Sequence, residues 1–210
     1  MINSISDGYP KTEQRIIEAA TKVFLQRGMY GARMQEIAST AGINKALLHY
    51  YFRSKEKLYQ HIFLTEISRF LEALFDAIQP IDDVYLLLKT FIYKYTDQIQ
   101  RHPQVVRFIL WEIQHGGESF NKTFRQMMDN NPGQSIQTII QKIELAAQKK
   151  QIRQVDPKHL IFSLIGMCIY TFVAQPIIEC IIPDLNVMDP IFLNKRKDEI
   201  LHLIWNGLKP

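Results

Sequence analysis

The chain has 210 residues, of which 47% are apolar by type and 22% charged, proportions that suit one or two folded cores and exclude a collagenous or disordered chain. Its net charge of +4 is unevenly spread. Residues 1–60 hold nine cations (Lys11, Arg15, Lys22, Arg27, Arg33, Lys45, Arg53, Lys55, Lys57) and five anions, whereas the other 150 residues hold sixteen of each, so only the first part is marked for a polyanionic partner.

The opening MINSISDGYPKTEQ contains no apolar run, so no export signal is expected and the protein is expected in the cytoplasm. A first helix is predicted over 11–27. Pro10 precedes it, Thr12 can cap it, and Glu13 suits its first turn. Ile16, Ala20, Val23 and Phe24 share its inner face, and Gly28 is expected to stop it. A second, short helix is predicted over 34–40 and a third over 44–52. Ser54 can cap a fourth over 55–78, which Pro80 ends.

Longer helices follow, predicted over 82–101, 103–115, 134–151, 157–182 and 188–208, with GGESFNKTF and NNPG as breaks and Pro176 as a kink or end within 157–182. No segment alternates as a strand would, so the fold class is all-α. The stretch LIFSLIGMCIYTFVAQPIIECII, residues 160–182, is apolar enough to resemble a membrane span, but Gln175, Pro176 and Glu179 interrupt it. A helix buried against its own domain and a twin subunit gives the same pattern, so no membrane association is expected. Cys168 and Cys180 are expected to be reduced packing residues.

The stretch AGINKALLHYYFRSKEKLY, residues 41–59, carries the functional signal. Ala38 is small where two helices approach closely, Gly42 lets the chain reverse, and Ile37, Ile43 and Leu48 fill the angle between the second and third helices. Two short helices joined in this way form a helix-turn-helix, here about 33–52, with the first helix completing its core. Such a unit lays its second helix in the DNA major groove. Asn44, Lys45, Ala46 and Leu47 would then reach base edges: Lys45 can donate to guanine, and Ala46 and Leu47 can touch a thymine methyl. Tyr50, Tyr51 and His49 can donate to phosphates while Phe52 anchors the helix end. Lys55, at the start of the fourth helix, is expected at a phosphate as well.

The run GMYGARMQEIASTAGINKALLHYYFRSKEKLY resembles the DNA-binding domain of TetR-type (tetracycline-repressor-like) transcriptional regulators. The resemblance rests on Gly28, the Ile37-Ala38 pair, Ala41 to Ile43, Leu48 to Phe52, and Lys55 with Leu58, and it covers about residues 10–70. It departs at Ala32 and Arg33, where many members carry a capping hydroxyl before the second helix, although Arg33 can reach a phosphate itself. It also departs at His49, where many carry Tyr, and at Asn44, where Ser is common and Asn caps as well. The resemblance implies a DNA-binding domain over 10–70 and a ligand-binding and dimerisation bundle over 71–210. It further implies a homodimer on a near-palindromic double-stranded operator, usually repressing, with a small-molecule effector and an interface formed by the last two long helices.

An enzyme remains as the alternative. Glu112 with His115 and Glu199 with His202 are Glu-x-x-His pairs, half of a carboxylate-bridged di-metal site, which would need further ligands among Glu66, Glu72, Glu144 and Glu179. His115 directly precedes Gly116-Gly117, a poor place for a rigid ligand. No phosphate loop, nucleophile elbow or Cys–His pair accompanies these residues, so no metal or other cofactor is expected. For the effector pocket, the aromatic candidates are Phe108, Trp111, Tyr170 and Phe172, together with His115.

Overall fold

The computed structural model of the protein describes residues 9–114, 125 and 136–210. These residues form ten helices and no strand: α1 (Tyr9–Gly31), α2 (Met34–Ala41), α3 (Lys45–Tyr51), α4 (Lys55–Ile78), α5 (Val84–Arg101), α6 (Gln104–Gln114), α7 (Ile136–Gln148), α8 (Pro157–Val173), α9 (Gln175–Ile181) and α10 (Pro190–Leu208). The described residues fall into two compact units, 9–67 with 107–114, and 68–106 with 125 and 136–210. Helix α4 contributes to both units, and most of α6 belongs to the first, a return that a boundary near residue 70 does not anticipate.

In the first unit, Ile16, Ala20, Val23 and Phe24 are buried, as the period of α1 requires. The helix begins at Tyr9, so Thr12 lies inside it rather than at its cap. Gly28 interrupts it as expected, because the backbone leaves the helical region there. With φ +67° and ψ 172° it kinks the chain, and a further turn runs to Gly31, closed by Ala32 N–H donating to Gly28 O at 3.2 Å. Between α2 and α3 the chain reverses at Gly42 (φ +66°, ψ +37°), and the Ile43 amide donates back to Ala38 O at 3.0 Å. Arg15 Nη2 donates to Ala41 O at 2.6 Å, and a Cβ on residue 42 would lie 2.9 Å from that nitrogen. Glycine is therefore favoured there by its positive φ, and a larger residue would also have to displace the end of the Arg15 side chain.

Helix α3 is short and held from three directions. Asn44 Oδ1 accepts from Leu47 N–H at 2.7 Å, the Phe52 amide closes the other end on Leu48 O, and Leu48 is fully buried. Ser54 Oγ accepts from Lys57 N–H at 3.2 Å and so caps α4. Residues 107–112 of α6 close the core: Phe108 and Trp111 lie 5.7 and 4.9 Å from the ring of Tyr59, which also meets Phe24 edge-on.

The second unit packs α5 against α7, α8 and α10, with α8 also touching α7, α9 and α10. Its core is made by Leu87, Leu88, Phe91 and Ile92 of α5 with Ile143, Leu164, Leu193 and Ile200. Asp83, Asp156 and Asp189 cap α5, α8 and α10. The apolar 157–182 segment is two helices bent by 66°, with the break at Ala174. Pro176 lies in the first turn of α9, where its missing N–H is tolerated. Among the described residues no single helix is long and apolar enough to cross a membrane, and only this bent pair meets the length and composition of a span.

Candidate nucleic-acid interface

The residues expected to read DNA sit on α3 and on the turns at either end of the helix-turn-helix. Asn44, Lys45 and Ala46 are exposed at the N-terminal end of α3, and Leu47 is half-buried. This geometry follows from the anchors: with Leu48 fixed in the core and the Asn44 side chain spent on the cap, the first turn of α3 presents its opposite face to solvent. Asn44 thus serves the helix itself, while Lys45 is unencumbered for a base edge. Tyr50 is 71% exposed and stands edge-on to the half-buried Tyr51 at 5.6 Å. His49 is exposed with Nδ1 3.4 Å from Arg53 O.

Arg33 is the N-cap of α2, in extended conformation, exposed, and without a side-chain bond to the helix it precedes. It precedes the first turn of α2, whose leading N–H groups have no partner within the helix, a position that favours a phosphate. Lys55 is placed differently. Its ammonium donates to Tyr30 O at 3.3 Å, in the last turn of α1, and to Ala32 O at 3.2 Å, on the connection to α2. Two more of the nine cations are engaged by protein, Arg15 with Ala41 O and Arg27 with Glu36 at 3.4 Å. Neither partnership was visible in the sequence, because each joins residues distant along the chain.

The candidate effector residues are not brought together. Phe108 and Trp111 are part of the aromatic core of the first unit, and His115 lies outside the described residues. In the same core the Tyr59 hydroxyl is buried without a hydrogen-bond partner. Burial, and secondarily the carboxyl of Glu112, raise its pKa well above the usual phenol range. Tyr170 lines a largely apolar groove of about 500 Å³ in the second unit with Ile178, Ile182, Leu185, Phe192 and Arg196, whereas Phe172 does not. Cys168 is buried, which lifts its thiol pKa to about 12 and makes it inert packing. Cys180, by contrast, is exposed on α9, because that short helix buries no residue at all.

Among the described residues no cluster of three His, Cys, Asp or Glu side chains could hold a metal. Glu112 is buried in the core of the first unit, while Glu199 and His202 are exposed on α10, with His202 Nε2 2.8 Å from Asn206 Nδ2.

Residues 16–62 match the family described as bacterial regulatory proteins, tetR family, and residues 64–210 match the C-terminal region of the YcdC-like proteins. The HTH-type transcriptional regulator RutR of Escherichia coli K12 is 27% identical over 201 residues, covering 94% of this chain and 91% of that protein. The structure of SCO4942 from Streptomyces coelicolor, assigned as a transcriptional regulator, is 25% identical with a TM-score of 0.68, over 95% of this chain and 99% of the other. FadR of Bacillus subtilis in complex with stearoyl-CoA, 15% identical, shares the fold with a TM-score of 0.69 over 93% and 98% of the two chains.

Proposed function

The chain belongs to the tetR family of bacterial regulatory proteins and is a helix-turn-helix transcriptional regulator; on that premise we propose that it is a homodimeric repressor released from a near-palindromic operator by a small molecule. The observation that carries the DNA-binding part of this reading is the presentation of α3: a buried Leu48 and a self-capping Asn44 leave Lys45 and Ala46 exposed on the first turn. Lys45, Ala46 and Leu47 then face base edges, and Arg33, His49, Tyr50 and Tyr51 face phosphates. The DNA-binding domain is taken as 10–70 with the return of α6, and the remainder as the ligand-binding and dimerisation part.

The effector would bind in the second unit, as the stearoyl-CoA complex of a protein with the same fold suggests. Binding would favour a conformation whose paired recognition helices no longer match successive major grooves. Helix α4, which belongs to both units, would carry that change.

Dimerisation is supported by the apolar side chains that α8, α9 and α10 leave in solvent, among them Phe162 at 79% exposure, Ile181 at 73% and Ile191 at 78%. Sedimentation at micromolar concentration should give a dimer, with an interface of about 1,200–2,000 Å². A monomer under those conditions would overturn this part of the proposal.

The DNA reading is tested by Lys45→Ala. On an operator selected from genomic fragments the variant should lose about 1–3 kcal/mol, and on random duplex very little, so that specificity falls. Equal losses on the two DNAs would put Lys45 at a phosphate and α3 in the wrong place.

A further inference from the structure

We propose that the groove between α8, α9 and α10 binds an amphipathic carboxylate, a single negative charge on an apolar chain, with its head at Arg196. The inference rests on the reading that the second unit holds the effector, and it names the chemical class of that effector. The groove measures about 500 Å³, within the range of small-molecule sites. Its apolar lining comes from Ile178 and Ile182, one turn apart on α9, from Leu185 on the connection to α10, and from Phe192 in the first turn of α10. Further along α10 the lining becomes polar, with Arg196 one turn on and Glu199 about a turn beyond it. From Phe192 to Glu199 the helix rises about 10 Å, which suits an extended chain of moderate length. Phe162, Ile181 and Ile191, side chains offered to a partner subunit, do not line this groove.

Arg196 is half-buried and reaches across to α8, where its Nη2 stands 3.5 Å from Met167 O, the outer limit of a hydrogen bond. Among the described residues it forms no ion pair. The next residue is the contrast: the buried Lys197 ammonium has its counter-charge in Asp97 at 2.7 Å. A cation drawn partly out of water without a counter-charge costs free energy. A carboxylate laid against the planar guanidinium offsets that cost through paired N–H···O bonds. Glu199 lines the same groove, four residues from Lys195, so the charged side chains of its wall leave a net charge of +1. That balance suits a singly charged head and opposes a doubly charged phosphate monoester. Arg196 thus selects the sign of the ligand, and the isoleucines of α9 with Phe192 select its apolar chain.

The probe is decanoate, titrated by calorimetry into the full-length protein without DNA, with decyl phosphate, 1-decanol and decyltrimethylammonium as comparisons. Decanoate should saturate one site per chain and bind about tenfold or more tightly than the phosphate or the cation. Arg196→Gln should weaken decanoate about tenfold and leave 1-decanol unchanged, which also shows that the groove of the variant is intact. Arg196→Lys should recover part of the loss. Ile182→Asp, at a side chain already half in solvent, should weaken decanoate and 1-decanol alike. No saturable binding of decanoate, equal affinity in wild type and Arg196→Gln, or a preference for the cation would each overturn the proposal. An absence of binding together with a monomeric Arg196→Gln in sedimentation would give the groove to the partner subunit instead. Operator release is read separately. Decanoate that binds through Arg196 but leaves operator affinity unchanged would refute its role as effector, while the chemistry of the groove would stand.

Discussion

Leu48→Ala is expected to abolish DNA binding while leaving most of the helical content intact. Leu48 is the one buried residue within α3, a seven-residue helix far too short to persist on its own propensity. Truncating a fully buried leucine costs about 2–5 kcal/mol, against a total stability of about 5–15 kcal/mol for an ordinary domain. That loss falls on the contact that fixes the face α3 presents, so Lys45 and Ala46 lose their common orientation before the rest of the first unit unfolds. Circular dichroism should change little, the thermal transition should move down, and affinity for operator and random duplex should both collapse. Unchanged operator affinity would mean that something other than Leu48 holds the recognition helix.

Asp97→Ala should be the most damaging change of a polar residue in the second unit. Lys197 of α10 is 7% exposed, and its Nζ lies 2.7 Å from Asp97 Oδ1 and 5.1 Å from the centre of the Tyr93 ring. Removing the carboxylate strands a buried ammonium whose remaining neighbour is a ring face. The expected cost is about 3 kcal/mol in urea unfolding. The reverse change, Lys197→Met, leaves a carboxylate that is one-third exposed and can be hydrated, so it should cost about 1 kcal/mol. The double variant should recover most of the difference. A cost below about 0.5 kcal/mol for Asp97→Ala would place this pair with ordinary surface ion pairs.

The helix-turn-helix was legible because its signals are local. The period of Ile16, Ala20, Val23 and Phe24, the positive φ demanded at Gly42, and the caps at Asn44 and Ser54 each depend on residues within about one or two helical turns of each other. The element bounds there shift by a residue or two, and Gly28 breaks α1 where a stop was expected, with one further turn following to Gly31. The break of the 157–182 helix was likewise marked by Pro176, though it falls two residues earlier. What the sequence hid is tertiary. Nothing in the period of α6 says that Phe108 and Trp111 pack against Tyr59 rather than line an effector pocket, because an aromatic at helical spacing looks the same in either place. Lys55 beside a helix start reads as a phosphate ligand, and nothing local shows that its ammonium also meets carbonyls 25 and 23 residues away.

The tethering of Arg15 and Lys55 to backbone carbonyls separates rate from equilibrium. A guanidinium or ammonium bonded to a neutral carbonyl keeps its full charge, so at a distance of a Debye length or more a DNA duplex is drawn by these cations as strongly as by free ones. At contact, donors already turned toward the main chain leave each cation fewer hydrogen bonds to offer a phosphate. The charges of Arg15 and Lys55 are therefore expected to act on the speed of encounter, and the side chains that α3 and the start of α2 hold outward on the lifetime of the complex.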